Sequence, residues 1–297
     1  MNNGSIYQTL AGEREIMALY DAVLARWPVA HDTFHLPTRH GDTFTIASGD
    51  KSAPPLILLH GAASNAVSWV GDVAQYSEYF RVYAVDIPGE PGRSAPKRPA
   101  WNGPGYAEWL EDVMNGLKIQ KAFLLGLSQG GWTALKFATY QPERVVKLVL
   151  LTPGGVMPTR VSFVLRAILF SKLGSRGRER INLMVYGKQT IHPEAVKFMD
   201  AIMTHFKARI GKEYLFSDEE LKRLNMPVLV LGGTEDVIFP IEGVVARMRK
   251  LAPRLEATLI PGMGHALINM SGRVIPFLVK QDDTKFARHP EARSLAP

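Results

Sequence analysis

The sequence predicts an α/β protein, with a mostly parallel β-sheet flanked by helices and a helical segment inserted into it. From residue 55 onward, short continuous apolar runs recur, several of them end in glycine-rich turns, and amphipathic helical stretches lie between them. Apolar runs with little alternation are typical of strands buried on both faces, and strands that alternate with helices indicate a parallel sheet. One long interruption of this pattern marks the insertion.

The chain before residue 55 predicts a helix followed by a hairpin. Apolar residues recur at helical spacing between residues 13 and 27, and Pro28 ends the pattern. Two short alternating segments, residues 34–37 and 43–47, then flank His40-Gly41-Asp42, which indicates two antiparallel strands.

The repeating part of the chain predicts six strands and at least three helices. We predict the strands at residues 55–59, 82–85, 122–127, 145–151, 227–231 and 257–260, and the helices at residues 106–117, 131–140 and 241–251.

The insertion lies between the fourth and fifth of these strands. About 70 residues separate the two strands, and a structureless loop of that length is unusual in a compact domain. We therefore expect helices there, at residues 161–170 and 194–210. The predicted organisation is a core of residues 1–154 and 225–280, a helical cap of residues 155–224, and a flexible polar tail of residues 281–297. The cap would cover the carboxyl ends of the strands, where open α/β sheets bind ligands.

Composition excludes several classes of site. The chain has no cysteine, which removes disulfides, thiolate zinc sites and a cysteine nucleophile. Residues 31–35 have the two-histidine spacing of a zinc helix, but Pro28 and Pro37 flank them and the pattern alternates like a strand, so we predict no metal site.

No stretch approaches the roughly 20 apolar residues of a membrane span, and the first residues do not resemble a signal peptide. We expect a cytoplasmic protein without a membrane span.

The net charge of +7 has a specific location. The cap holds 13 Lys/Arg against 7 Asp/Glu, a net charge of +6, residues 271–297 carry +2, and the remainder of the chain carries −1. The nearly neutral body disfavours nucleic acid as a partner. Because most of the positive charge lies on the cap, a narrower hypothesis remains, namely that the cap favours anionic substrates or an anionic surface.

A nucleophile is predicted at Ser128. The segment Gly126-Leu127-Ser128-Gln129-Gly130 stands between an apolar run and a helical stretch. A G-x-S-x-G pentapeptide at a strand-to-helix turn is a nucleophile elbow, in which a strained backbone lifts the serine hydroxyl above the sheet. The same turn leaves the backbone N–H of Gln129 at the start of a helix, where it can stabilise an oxyanion.

A serine nucleophile needs a histidine base, and the base needs an acid that fixes its tautomer. Two later strands end in residues 232–236 (GGTED) and residues 261–265 (PGMGH), at the same edge of the sheet as Ser128. We assign Asp236 as the acid and His265 as the base. Glu235 is the alternative acid.

The turn after the first buried strand supplies the second oxyanion donor. This turn reads His60-Gly61-Ala62-Ala63, and we choose the N–H of Ala62, because the preceding glycine allows close approach. His60 is expected either to brace this loop or to face the substrate. The candidate pocket residues are His60, Ala63, Trp132, Phe163 and Val237.

Taken together, these motifs resemble the α/β-hydrolase superfamily. The resemblance rests on His60-Gly61, residues 86–94 (DIPGEPGRS), the elbow, Asp236 and Gly264-His265. Residues 27–29 (WPV), 46–49 (IASG) and 53–56 (APPL) are more narrowly similar to bacterial carboxylesterases of the naproxen esterase type. The resemblance implies a sheet of about eight strands, a helical cap, and ester hydrolysis without a cofactor. In that group the acid can be a glutamate. The position of the acid relative to the following Val237-Ile238 nevertheless selects Asp236 rather than Glu235.

The predicted function is hydrolysis of a small-molecule carboxylic ester through a Ser-His-Asp triad and an acyl-enzyme. Thioesterases, lactonases and other acyl hydrolases use the same catalytic set and differ in the pocket. A ligand-binding protein that keeps the fold without turnover is the alternative of another class. The sequence leaves the oligomeric state open.

Overall fold

The computed structural model describes residues 5–209, 211 and 214–280, so the tail predicted at residues 281–297 lies outside the described residues. Within the described residues, eight strands form one sheet in the order β1-β2-β4-β3-β5-β6-β7-β8. Strands β1, β2 and β4 pair antiparallel, and all the other neighbours pair parallel, which confirms the predicted α/β fold class. The strands are β1 (His31–Leu36), β2 (Thr43–Ser48), β3 (Pro55–Leu59), β4 (Arg81–Val85), β5 (Ala122–Leu127), β6 (Val145–Leu151), β7 (Val228–Gly233) and β8 (Leu255–Ile260).

Helices cover both faces of the sheet. They are α1 (Leu10–Leu24), α2 (Val73–Ser77), α3 (Gly105–Gly116), α4 (Gln129–Tyr140), α5 (Val161–Ser171), α6 (Gly174–Tyr186), α7 (Pro193–His205), α8 (Asp218–Leu221), α9 (Ile241–Leu251) and α10 (Ser271–Val279). Short 3₁₀ helices cover Ala66–Gly71 and Pro142–Arg144. The first helix begins before the predicted residue 13, because Thr9 caps it by accepting the Gly12 N–H. It ends at Leu24, before the predicted residue 27.

The central strands are buried on both sides, which explains their continuous apolar runs. Ile57 and Leu59 of β3 pack with α3, α4 and α9, whereas Leu56 and Leu58 pack with α1, α2 and α10. Successive side chains of a strand point to opposite faces, so a strand between two helical layers needs apolar residues at every position.

The segment between β6 and β7 is helical, as the sequence predicts. Helix α5 packs on α6, and α7 packs on α1. The expected helices at residues 161–170 and 194–210 correspond to α5 and α7, and α7 ends earlier, at His205. Helices α6 and α8 were not predicted. The division into core and cap at residues 155 and 224 stays a prediction.

The helices of the described residues also bear on membrane insertion. None of them combines the length and the apolar content that crossing a bilayer requires.

Candidate active site

The strand-to-helix turn at Ser128 is strained and depends on glycine. Ser128 has φ 52° and ψ −110°, between the end of β5 and the start of α4. A Cβ atom at Gly126 would lie 2.3 Å from the carbonyl carbon of Gly130, and one at Gly130 would lie 2.0 Å from the carbonyl oxygen of Leu59. Both glycines are therefore required for the backbone to turn this tightly, and the turn holds the serine in a sparsely populated conformation.

The side chain of His265 connects Ser128 to Asp236. The Nε2 atom of His265 lies 2.8 Å from Ser128 Oγ, and its Nδ1 atom lies 2.9 Å from Asp236 Oδ2. A carboxylate only accepts hydrogen bonds, so Nδ1 carries the proton and Nε2 is free to accept the serine O–H. Thr152 donates its hydroxyl to the backbone oxygen of His265 at 2.8 Å, which fixes the loop after β8.

The carboxylate of Asp236 is buried and has a different partner on each oxygen. Its side chain has no exposed surface, and Oδ1 accepts the N–H groups of Ile238 at 2.7 Å and Phe239 at 3.0 Å. Oδ2 is left for His265. Glu235, the alternative acid, is 45% exposed and pairs with Lys188 Nζ at 3.5 Å, away from His265.

The backbone N–H groups of Ala62 and Gln129 form no hydrogen bond with another described residue. Gln129 is the first residue of α4, where N–H groups have no intrahelical partner. The loop of Ala62 packs against the elbow, since a Cβ atom at Gly61 would lie 3.8 Å from Ser128 Cβ. The two N–H groups therefore belong to segments that adjoin Ser128, and their role as oxyanion donors stays a prediction.

Sequence analysis missed a buried carboxylate, Glu90, that joins these two donor segments. Its Oε2 accepts the N–H of Ala63 at 2.7 Å, and its Oε1 accepts the side-chain amide of Gln129 at 3.1 Å. Burial raises the pKa of Glu90 to about 7, against the opposing effects of these two hydrogen bonds and of the charges on Arg98 and Arg209. The available signal was its place between glycines in residues 86–94, a segment that supported only the family resemblance.

Two pocket candidates, His60 and Trp132, are fully buried, and their role in substrate binding stays a prediction. His60 donates from Nδ1 to the oxygen of Gly61 at 2.8 Å and accepts the N–H of Ile87 at Nε2, so it braces the loop. Burial lowers the pKa of His60 to about 4, which keeps the ring neutral. Trp132 donates its indole N–H to the oxygen of Tyr214 at 2.9 Å and packs inside the core.

The other pocket candidates are partly exposed. Ala63 follows Ala62 in the loop after β3, with φ 50°, and Val237 follows Asp236. Phe163 lies on α5. Their role in substrate binding stays a prediction.

The described residues contain no group of three or more His, Cys, Asp or Glu that could hold a metal ion. His31 and His35 lie on β1 rather than on a helix. Residues four apart on a strand are separated by roughly 13 Å, too far to share one ion.

Comparisons with known proteins identify the family of the chain. A model described as "Alpha/beta hydrolase family" matches residues 56–275. The chain is 36% identical to an uncharacterized carboxylesterase, nap, of Bacillus subtilis strain 168, over 84% of this chain and 85% of that protein. It is 33% identical to the carboxylesterase YbfK of the same strain, over 84% and 86%.

A solved structure gives the same result. The crystal structure of naproxen esterase (carboxylesterase NP) from Bacillus subtilis superposes with a TM-score of 0.82 and 32% identity, covering 91% of this chain and 99% of that chain. The protein therefore belongs to the alpha/beta hydrolase family, as a member of the carboxylesterase type.

Proposed function

We propose that the protein hydrolyses small-molecule carboxylic esters through a triad of Ser128, His265 and Asp236. The observation that carries this proposal is the hydrogen-bonded chain from Ser128 Oγ through both ring nitrogens of His265 to Asp236 Oδ2, at 2.8 Å and 2.9 Å. The named carboxylesterases among its relatives support an ester as the substrate class.

The first half of the reaction forms an acyl-enzyme. Ser128 Oγ attacks the ester carbonyl carbon while His265 Nε2 takes the hydroxyl proton, and Asp236 stabilises the imidazolium that results. His265 then returns the proton to the leaving alcohol as the ester C–O bond breaks. The acyl group stays on Ser128.

The second half uses the same base with water. His265 takes a proton from the attacking water, the new hydroxyl group joins the acyl carbon, and the proton returns to Ser128 Oγ as the carboxylic acid leaves. The N–H groups of Ala62 and Gln129 stabilise the oxyanion in both halves, which typically contributes about 3 to 4 kcal/mol per donor.

Glu90 supports this oxyanion site without touching the substrate. Its carboxylate binds the segment after Ala62 and the side chain of Gln129, so it holds the two donors at a fixed separation. Donors that are already in position need no reorganisation during the reaction.

Hydrolysis of short p-nitrophenyl esters tests the proposal. Ser128→Ala is expected to lower kcat by at least about 10⁴-fold, because the nucleophile is lost while the fold and the oxyanion donors remain. Ser162→Ala, at an exposed serine on α5, is the matched control and should retain full activity. Equal rates from Ser128→Ala and wild type would contradict the proposal.

A panel of thioesters and lactones with the same acyl group distinguishes the related acyl-hydrolase activities. We expect the highest kcat/KM on the carboxylic ester. A higher value on a thioester or a lactone would change the substrate class but not the catalytic residues. The cytoplasmic location and the absence of a nucleic-acid partner stay predictions.

A further inference from the structure

Helix α5 exposes its apolar face. Val161, Val164, Leu165, Ile168 and Leu169 recur at the spacing of one helix face, and they are between 41% and 72% exposed. The opposite side of α5, including Phe163 and Phe170, is only partly exposed and packs on α6. Surface helices normally turn their apolar stripe toward the core. We call these five exposed side chains the α5 apolar face.

Basic side chains surround the α5 apolar face. Residues 160–186 contain six basic side chains and one acidic side chain, for a net charge of +5. Arg160, Arg166, Lys172 and Arg176 are exposed, and none of them forms an ion pair with another described residue. In contrast, Arg178 pairs with Asp200 of α7.

The α5–α6 hairpin is anchored at the rim of the candidate active site. At the start of α5, the N–H of Arg160 donates to the oxygen of Ile238 at 2.8 Å. At the end of α6, Val185 accepts the N–H of Ala266 at 3.0 Å, and Gly187 forms a β-bridge with Met263. Both attachment points are next to Asp236 and His265 in sequence, and the turn between the two helices lies at the opposite end of the hairpin.

We propose that the α5 apolar face docks on an anionic lipid bilayer. A helix that exposes an apolar face with flanking Lys/Arg can lie in the membrane interface, with these apolar side chains among the acyl chains and the basic side chains at the headgroups. The 11-residue length of α5 suits a helix that lies on the surface rather than one that spans the bilayer.

Charge favours a bilayer over a second copy of this chain. Two copies joined through their α5 apolar faces would bring two clusters of basic side chains together, which is destabilising. A neutral apolar partner would leave Arg166 and Lys172 without counter-charges. An anionic bilayer accommodates the exposed apolar side chains and the basic side chains at once.

Co-sedimentation of the full chain with lipid vesicles tests this proposal. Wild type should bind vesicles that mix phosphatidylglycerol with phosphatidylcholine, should not bind phosphatidylcholine alone, and should be released by added salt. The double variant Leu165→Asp/Ile168→Asp should bind at least tenfold more weakly. Leu10→Asp is the matched control, because Leu10 and Leu165 are both 63% exposed. It should bind like wild type.

The contribution of charge is tested separately. Arg166→Glu/Lys172→Glu should bind the anionic vesicles at least tenfold more weakly, while Lys121→Glu, at an exposed lysine outside the hairpin, should lose much less. All variants should keep wild-type circular dichroism and wild-type hydrolysis of a water-soluble ester, so that membrane binding is measured independently of the proposed catalysis.

Three outcomes would overturn the proposal. Wild type could fail to bind the anionic vesicles, it could bind neutral and anionic vesicles equally, or the α5 variants could bind as well as wild type. A dimer in analytical ultracentrifugation that Leu165→Asp/Ile168→Asp abolishes, without vesicle binding, would assign the α5 apolar face to a second copy instead.

Discussion

The candidate active site and the α5–α6 hairpin differ in whether their side chains have partners within the protein. At the site, Asp236 has a hydrogen-bond partner on each oxygen, and Glu90 likewise binds with both oxygens in the buried interior. On the hairpin, the α5 apolar face lies in solvent, and Arg166 and Lys172 form no ion pair with another described residue. Side chains that are held by hydrogen bonds at the site can act in chemistry without reorganising. The exposed apolar and basic side chains of the hairpin are instead available to bind a partner. The two regions should therefore respond differently to substitution.

The largest expected effect comes from breaking the acid–base contact. Asp236→Asn should lower kcat by about 10⁴-fold, because the amide no longer stabilises the imidazolium and favours the wrong histidine tautomer. Steady-state hydrolysis of a p-nitrophenyl ester measures this. Glu235→Gln is the matched control and should stay within about twofold of wild type, because Glu235 contacts Lys188 rather than His265. A reversed ranking of the two variants would move the acid role to Glu235.

The elbow should not tolerate a methyl group. Gly130→Ala would place Cβ 2.0 Å from the oxygen of Leu59 and 2.5 Å from the oxygen of His60, so the backbone of β3 or α4 must move. We expect the free energy of unfolding to fall by at least about 3 kcal/mol, measured by urea denaturation. Gly272→Ala is the control, because nothing lies within 4 Å of its added Cβ, and it should be neutral or stabilising. Similar midpoints for the two variants would contradict the elbow geometry.

Burial of Glu90 should make stability depend on pH. The ordinary pKa of a glutamate, 4.5, is raised here to about 7. At pH values between these two pKa values, the folded chain keeps a proton that the unfolded chain has released. The stabilisation of the folded state by this proton is therefore complete below pH 4.5, and it is lost as the pH rises through about 7. The loss amounts to about 3 kcal/mol.

Comparison with Glu90→Gln isolates this effect. The amide does not titrate, and other buried groups such as Asp86 contribute equally to both proteins. Urea denaturation measures the free energy of unfolding of both proteins near pH 4.5 and again above pH 7. Between these two pH values, wild type should lose about 3 kcal/mol of stability relative to Glu90→Gln. Parallel pH dependences for the two proteins would show that Glu90 titrates normally.

The smallest effect is expected on the hairpin. Leu165→Ala should change the free energy of unfolding by less than about 0.5 kcal/mol, because Leu165 is 63% exposed. Leu124→Ala, at a fully buried position of β5, should cost about 2 to 5 kcal/mol. Urea denaturation of both variants measures the contrast. A cost above about 2 kcal/mol at Leu165 would mean that the α5 apolar face packs against the protein in solution.

Sequence reasoning predicted the sheet because its strands carry a strong local signal. A strand buried on both faces is apolar at nearly every position, so β3, β5 and β6 begin and end where the apolar runs do, with Lys147 of β6 as an exception. The placement of Ser128, Asp236 and His265 at strand ends follows from the same signal, since parallel strands end at one edge of the sheet.

The features that sequence reasoning missed depend on contacts between distant residues. Helix α6 has a basic, polar first half and therefore shows no continuous apolar face. The partners of Glu90 come from the loop after β3 and from the first residue of α4, and the residues of its own turn do not predict these partners. The periodicity of α5 identifies the residues that share a face, but it does not reveal that this face is exposed.

Trapping the acyl-enzyme tests most directly whether Ser128 is the nucleophile. A stopped-flow burst of p-nitrophenol, followed by acid quenching and peptide mass spectrometry, locates the acyl group. The assignment of Ser128 as the nucleophile predicts a stoichiometric burst with the acyl group on Ser128, and neither burst nor adduct in Ser128→Ala. Turnover with the acyl group on another residue, or steady turnover by Ser128→Ala at the wild-type rate, would contradict it.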